Sequence, residues 1–347
     1  MMLSSPADDT TEDPMERIAT AEEALTTTRT QTSTPFVFSG WEPWYQGIDR
    51  AVGTADLAFD TDPPTFPAPV ARRQYANALR IGLGNPCVSF YTTPAGKEPQ
   101  TTAGETITAF LDSAPAVVAA VNANFSWPYP ADPGDTFALM GLAVSQGNVV
   151  CDPTRPAPPG QTQADVRDQG DTGAMAMWIT QANEVTFQVV TAQDGPTLPP
   201  GAYTAIAGGP QPADGGWPPQ AHLPGPLLLV DNGVNTGTPE ATPCEKIAAR
   251  TAVGLSADKQ FLYLVTLDGN EEASWPYGGG FYDIAQWLII AGADTGLNLD
   301  GGGSTAMACR DSNNSPVLMN VPYGTEAGPG VQRVVGNYFG VVSQPLP

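Results

Sequence analysis

Histidine is almost absent from this chain: His222 stands alone among 347 residues. A site needing two or three imidazoles, such as the common zinc hydrolase arrangements, is therefore excluded. Positive charge is scarce as well, with 14 Lys and Arg against 36 Asp and Glu and a net charge of −22. So anionic a chain repels phosphate backbones and anionic lipid surfaces, which argues against nucleic acid or a membrane surface as partner. No run approaches ~18 consecutive apolar residues, so no bilayer-spanning segment is expected. The four cysteines, Cys87, Cys151, Cys244 and Cys309, are far apart and form no Cys-x-x-Cys pair. That spacing excludes cysteine metal clusters and thioredoxin-like redox motifs. Their even number in a Gly/Pro-rich chain fits one or two disulfides of an oxidising compartment, with four buried free thiols as the alternative.

No EF-hand spacing occurs, and no metal or cofactor is expected. Residues 1–34 are rich in Thr, Ala and acid and hold no apolar core of the kind a signal peptide requires. They read as a disordered or weakly helical arm, ahead of a single domain over 35–347. The cysteine usage points to an extracellular or periplasmic protein, although no leader is visible in the sequence.

What the chain has in abundance is 37 glycines and 36 prolines, about a fifth of its length and roughly double the usual share. Hydrophobic residues still make up 41%, enough for a sizeable core. From Pro35 onward, short apolar runs are broken by Gly, Pro, Asn and Asp, a texture of many strands with few helices and long loops. Residues 78–83 and 87–91 read as a broken strand pair, 106–111 as a short helix, and 116–121 as a buried strand ending at Asn122. Residues 139–144 and 148–151 read as a hairpin around Ser145-Gln-Gly. The stretches 152–172 and 193–226 read as loops. Further on, 251–255 and 261–268 form a hairpin. Phe281, Ile284, Ala285 and Leu288 recur at i, i+3, i+4 and i+7, predicting an amphipathic helix over 281–291 with Gly292 as its C′ residue. A strand over 296–300 then enters Gly301-Gly-Gly-Ser-Thr, and 331–342 reads as a last strand. The pattern is α+β, a mixed, strand-rich sheet with few helices and long Gly/Pro-rich loops.

Three glycines after an acidic strand end need a reason, because each loses more backbone entropy on folding than any other residue. Either something approaches the backbone closely or φ is positive, and free N–H groups in such a loop suit an oxygen-rich ligand. No Gly-Lys-Ser/Thr follows, so this is not a P-loop. The helix precedes the glycines, which excludes the dinucleotide fingerprint, and Gly302-Gly-Ser304-Thr-Ala306 lacks the last glycine of a nucleophile elbow. A tight turn with a structural Asp is the plain alternative.

The run Asn298-Leu-Asp-Gly-Gly-Gly-Ser-Thr-Ala-Met resembles the signature of the phosphodiester glycosidase family. Other segments agree in order: Ala120-Val-Asn-Ala-Asn-Phe, Ala207-Gly-Gly-Pro, Ala249-Arg-Thr-Ala-Val-Gly with Leu267-Asp-Gly, and Arg333-Val-Val-Gly-Asn. With a weaker match from Tyr45-Gln-Gly-Ile, the resemblance spans roughly residues 45–345. The sequence departs from the family pattern at Ala123, Asn124 and Ser126, and at Asn270, where an arginine often follows Asp-Gly. The resemblance implies a glycoside hydrolase acting on a sugar-1-phosphodiester or a related glycan, the other reading being a non-catalytic carbohydrate-binding or cell-surface protein on the same fold.

Glycosidic cleavage stabilises an oxocarbenium-like transition state, usually with two carboxylates, and with one histidine available carboxylates are the acid/base groups to expect. Asp300 is the candidate base or nucleophile. Asp268 is the second carboxylate, or the group that holds Arg250, with a simple hairpin-exit turn as its alternative. Arginine offers a planar fork of donors that matches phosphate or carboxylate, which makes Arg250 and Arg333, each expected to open a strand, candidates for gripping an anionic substrate. Asn122 and Asn298 offer amides to sugar hydroxyls. Gly301, Gly302, Gly303, Ser304 and Thr305 of the turn, and Gly208 and Gly209, complete the expected substrate-binding set. Ser126-Trp-Pro-Tyr and Ser274-Trp-Pro-Tyr repeat, so Trp127 and Trp275 are candidate lips of a carbohydrate cleft. A serine hydrolase pairing Ser304 with His222 requires the Pro-rich loop to bring them within hydrogen-bond reach.

Overall fold

The structure, a computed structural model, describes residues 34–57, 72–152, 174–190, 199–208, 228–237, 247–269, 278–324 and 328–347. Nearly all of the expected N-terminal arm therefore falls outside the described residues, and Thr34 already begins a strand, Thr34–Phe38.

The central element is a nine-stranded sheet. Its path runs Thr34–Phe38, Ile48–Leu57, Arg72–Gly82, Phe261–Leu267, Arg250–Leu255, Thr295–Asn298, Val230–Asp231 and Val234–Asn235, with Glu42–Tyr45 also paired to Ile48–Leu57. The two long strands pair antiparallel from Ile48 opposite Ile81 to Leu57 opposite Arg72. Strands 250–255 and 261–267 are mostly apolar and buried along their length except at Phe261, which is partly buried, as expected of strands covered on both faces. On one face lies the longer of two described α-helices, Phe281–Ala291, which presents Ile284, Trp287 and Leu288 to Ala78, Ala252 and Val265. Its first turn is closed by the Gly280 N–H donating to Asp283 Oδ2 at 2.8 Å, and Gly292 ends it at φ 116°, in the left-handed region that glycine enters without steric cost.

The other face packs Val253, Leu264 and Leu297 against Val121, Met307 and Phe339 of one five-stranded sheet and Met177 and Ile206 of another. The first of these orders its strands Pro316–Leu318, Met307–Arg310, Val117–Asn122, Tyr338–Val342 and Ser89–Thr92; the second runs Asn148–Cys151, Ala143–Ser145, Thr204–Gly208, Ala174–Ile179 and Val185–Val190. The short helix Ile107–Ser113, with Thr106 as N-cap, closes the far side of the first through Ile107, Phe110 and Leu111. A three-stranded sheet of Thr101–Ala103, Thr136–Leu139 and Ser126–Trp127 completes the fold. It is the α+β, strand-rich architecture expected, with its ladders antiparallel among the described residues.

Several boundaries differ from the sequence reading. The expected pair 78–83 and 87–91 is split between sheets: Ser89–Thr92 pairs with Tyr338–Val342, not with 72–82. The hairpin at 143–151 forms with Gln146 and Gly147 at φ 50° and 80°, the positive pair a two-residue turn demands, but Leu139 belongs to the three-stranded sheet. The segment read as a loop from 193 contains the buried strand Thr204–Gly208. The last strand starts at Tyr338 rather than at 331, so Arg333 lies in the approach to it. The disulfide expectation is not met among the described residues: no disulfide joins Cys87, Cys151 or Cys309 to one another. Cys151 and Cys309 sit on different sheets within separate cores, where each packs as a small apolar side chain. Cys244 lies outside the described residues.

Candidate functional site

The site is assembled where three neighbouring strands end. Strand 250–255 lies between 261–267 and 295–298, with Arg250 opposite Leu267 and Ala252 opposite Asn298. Asp268 and Asp300 therefore leave the sheet on either side of Arg250, at the same edge. Neighbouring strands are about 4.8 Å apart, so the two acidic residues start from backbones separated by two spacings, about 10 Å. Each is then drawn to a different neighbour: the Asp268 N–H donates to Tyr75 O at 2.9 Å, and the Asp300 N–H to Ala123 O at 3.0 Å.

The glycine turn is built to be tight. Gly302 has φ 58° and donates its N–H to Ala249 O at 2.8 Å, while Ser304 and Thr305 donate to Gly301 O and Gly302 O to form a 3₁₀ turn. The Gly301 N–H donates to Asp300 Oδ1 at 2.9 Å. The amides of 301, 302, 304 and 305 are thus bonded inside the protein, which differs from the expected row of free N–H groups. Gly303 answers to a close approach instead: a Cβ there would sit 2.2 Å from one Arg333 Nη and 2.9 Å from Tyr323 O.

Asn122 holds this turn from below. Only 1% exposed, it donates through Nδ2 to Asp300 O at 2.6 Å and accepts at Oδ1 from Thr251 Oγ1 at 2.7 Å and from Ala306 N at 3.1 Å. One amide thereby ties together the Asp300 backbone, the central strand and the exit of the turn. Asn124, a departure from the family pattern, is equally buried. Its Nδ2 donates to Met140 O and Leu142 O, and its Oδ1 accepts from Ala207 N and Asn337 Nδ2. Ser126 Oγ accepts from Gly336 N at 3.1 Å. These unusual residues are cross-links between sheets. The sequence marks Asn124 only as a departure from the family pattern and gives Asn337 no role, although a polar side chain inside apolar runs is the available signal.

The remaining expected residues divide by exposure. Arg250 is buried, its Nε donating to Gly279 O at 3.0 Å and its guanidinium lying 4.6 Å from the Phe281 ring centre. Asp268 is 8% exposed and accepts at Oδ1 from Val321 N at 3.1 Å. Asn298 is buried, and its carbonyl is pressed by Gly208, where a Cβ would come within 2.0 Å of it. Asp300 is half-buried, as is Arg333. Arg333 donates through Nε to Gly324 O and through Nη1 to Ser304 Oγ, both at 3.2 Å, and its guanidinium carbon stands 3.8 Å from the Tyr129 ring centre. Among the described residues no carboxylate pairs with Arg333. Trp127, half-buried, opens the loop that carries Tyr129. Gly209, His222, Asn270 and Trp275 lie outside the described residues. Beneath the site, burial first, and then the charges of Glu105 and Asp300, push the Tyr338 phenol well above its usual range, so it stays neutral and donates to Glu105 O at 2.9 Å. Among the described residues no three His, Cys, Asp or Glu side chains converge as a metal site would require.

Residues 116–342, which include the Asn122 strand, Arg250, both aspartates, the glycine turn and Arg333, match the phosphodiester glycosidase family. The chain belongs to that family. No curated protein sequence matches it significantly. Among solved structures, the phosphodiester glycosidase fold is shared with the catalytic domain of zebrafish N-acetylglucosamine-1-phosphodiester alpha-N-acetylglucosaminidase auto-inhibited by its pro-peptide. That likeness has a TM-score of 0.58 at 16% identity and covers 91% of this chain and 89% of that one. A protein of Burkholderia pseudomallei K96243, thought to be exported, is similar at TM-score 0.53 and 13% identity, over 90% of this chain and 97% of that one. At such identities the likeness is one of fold. No helix among the described residues is long and apolar enough to cross a membrane.

Proposed function

We propose that this member of the phosphodiester glycosidase family is a glycoside hydrolase that cleaves a sugar-1-phosphodiester or a related glycosidic bond at the Asp300 turn. The observation that carries the reading is the juxtaposition of Asp300 and Arg333. A half-exposed carboxylate, fixed through its backbone by Ala123 and Asn122, shares one glycine turn with a half-exposed guanidinium that no described carboxylate neutralises. The carboxylate suits an anomeric carbon gaining positive charge, as base or nucleophile. The guanidinium suits a leaving group gaining negative charge, for which it offers paired N–H donors. A phosphate leaves with less protonation than an alcohol, which lightens the demand on a second acid. Asp268 is the proposed second carboxylate, and its burial and bond to Val321 N favour a part in orienting its surroundings over direct attack.

Arg250, stacked on Phe281, supports the turn from beneath Gly301. Asn122 acts in the same way, through the Asp300 backbone. Gly301, Gly302 and Trp127, each part-exposed, are proposed to meet the sugar, while the buried Asn298, Gly208, Gly303, Ser304 and Thr305 shape the turn behind them; Gly209 and Trp275, outside the described residues, stay in the proposed binding set. Placement outside the cytoplasm is part of this reading, supported by the similarity to the exported Burkholderia protein.

The test is release of sugar from aryl glycosides and sugar phosphodiesters by wild type and Asp300→Asn. Acid–base or nucleophilic participation predicts a rate fall of about 10²–10⁴ in a variant whose unfolding is unchanged. A well-folded Asp300→Asn that cleaves at full rate removes Asp300 from the mechanism. Sugar binding by a wild type that cleaves none of these substrates favours the carbohydrate-binding alternative.

A further inference from the structure

Among the described residues, the partners that hold Arg333 are neutral. Two of its nitrogens donate to Gly324 O and Ser304 Oγ, both at 3.2 Å, and the third face of its surroundings is the ring of Tyr129, 3.8 Å from the guanidinium carbon. Gly303 passes so close that any side chain there would collide with the fork. The cation is thus clasped between the glycine turn and a separate loop, Trp127-Pro-Tyr-Pro, that leaves the three-stranded sheet at Trp127. Tyr129 is 41% exposed, so the guanidinium it stacks on stands at the surface where a ligand can reach it. An arginine side chain has several rotatable bonds, and ordering it on each binding event costs affinity. A ring that holds the plane of the fork beforehand removes part of that cost without cancelling the charge, as a carboxylate would.

We infer that Tyr129 is a positioning and specificity residue, which pre-orients the Arg333 guanidinium to receive an oxyanion, phosphate or phosphodiester, beside Asp300. The inference deepens the proposed function and rests on it for the chemistry, while anion binding alone tests the pairing. Stacking of this kind at a partly exposed site corresponds to an effect of about two- to five-fold on an equilibrium. The Tyr129 hydroxyl has no part in it, since the ring face makes the contact.

The experiment measures inorganic phosphate binding by calorimetry, together with KM and kcat on a sugar-1-phosphodiester and a neutral aryl glycoside, for wild type, Tyr129→Phe and Tyr129→Ala. Thermal unfolding serves as the folding control. Tyr129→Ala is expected to raise the phosphate Kd and the phosphodiester KM together by about two- to five-fold, without a matching rise in KM for the neutral glycoside, and Tyr129→Phe to restore both. An unchanged phosphate Kd in Tyr129→Ala overturns the inference. So does a Tyr129→Phe variant as impaired as Tyr129→Ala, which would assign the effect to the hydroxyl. If wild type cleaves neither substrate, but phosphate binding weakens in Tyr129→Ala and recovers in Tyr129→Phe, the hydrolase reading fails while the Tyr129–Arg333 pairing stands.

Discussion

Removing the Asn122 side chain tests whether one amide organises the site. In Asn122→Ala three groups lose their bond to this amide at once: the part-buried Asp300 carbonyl and the buried Thr251 hydroxyl and Ala306 N–H. Each buried group left unsatisfied costs about 1–3 kcal/mol, so the upper bound is roughly 9 kcal/mol. The hydroxyl is free to rotate, and a space the size of the lost amide admits a water, which brings the expectation toward roughly 3 kcal/mol. That is still a large part of the 5–15 kcal/mol or so by which domains are stable.

Asn122→Asp separates the donor from the acceptor. The new carboxyl keeps the oxygen that receives Thr251 and Ala306, and when protonated it also donates to the Asp300 carbonyl. Burial and a facing carbonyl raise its folded pKa, so the stability is fully present below its unfolded value near 3.9 and is lost as pH rises through the folded one. Urea unfolding followed by tryptophan fluorescence, with the m-value unchanged between variants, reads both effects. A loss of less than about 1 kcal/mol in Asn122→Ala, or an Asn122→Asp profile that runs parallel to wild type across pH, would refute this account of the turn.

Four further outcomes are expected. Burial raises the Glu105 carboxyl above its ordinary value of 4.5, opposed in smaller measure by the Ser113 hydroxyl. Stability is therefore fully present below that value and falls as pH rises through the raised one, and Glu105→Gln should flatten this slope in thermal melts taken across pH; an unchanged slope assigns it elsewhere. Gly208→Ala drives a Cβ to within 2.0 Å of Asn298 O. Because the obstacle is a backbone carbonyl that cannot swing aside, a cost of about 1–3 kcal/mol should appear in urea unfolding, and an unchanged stability would refute the close packing. The Cys309 thiol is pushed up to about 12, chiefly by burial, so under native conditions it should resist a thiol reagent that labels the half-buried Cys87, as peptide mapping after labelling would show. Thr251→Val removes the donor to Asn122 Oδ1 and should cost about 1 kcal/mol. Combined with Asn122→Ala it should add less than the sum, because the two side chains share one bond.

The elements legible in the sequence were those whose signal is local. The helix over 281–291 follows from apolar spacing and from Gly292, and its observed bounds are those expected. The 146–147 turn, the 250–267 hairpin and the glycine turn likewise advertise themselves through residues whose backbone freedom or hydrogen bonding the turn requires. Thr204–Gly208 was missed because its small residues, in a Pro/Gly-rich stretch, carry little strand signal, and its burial comes from neighbours on either side. The strand at 331–342 was read too long because apolar residues at 331, 334 and 335 suit an extended chain whether or not it pairs. Tyr129 carries no signal of its own, since nothing in Trp-Pro-Tyr says which ring meets a distant cation.

By itself the sequence determined the kind of chemistry open to this protein: one histidine and few cations confine acid–base work to carboxylates, and the Asn298–Thr305 run carries the family signature. Which groups surround Asp300 was decided only by the tertiary structure. Asn122 reaches it across 178 residues of chain, and Tyr129 meets Arg333 from the loop that follows Trp127. Contacts of that range form because sheets pack to bury their apolar faces, and the polar side chains carried to the seam must then find partners. No local pattern in the chain encodes which partners those are.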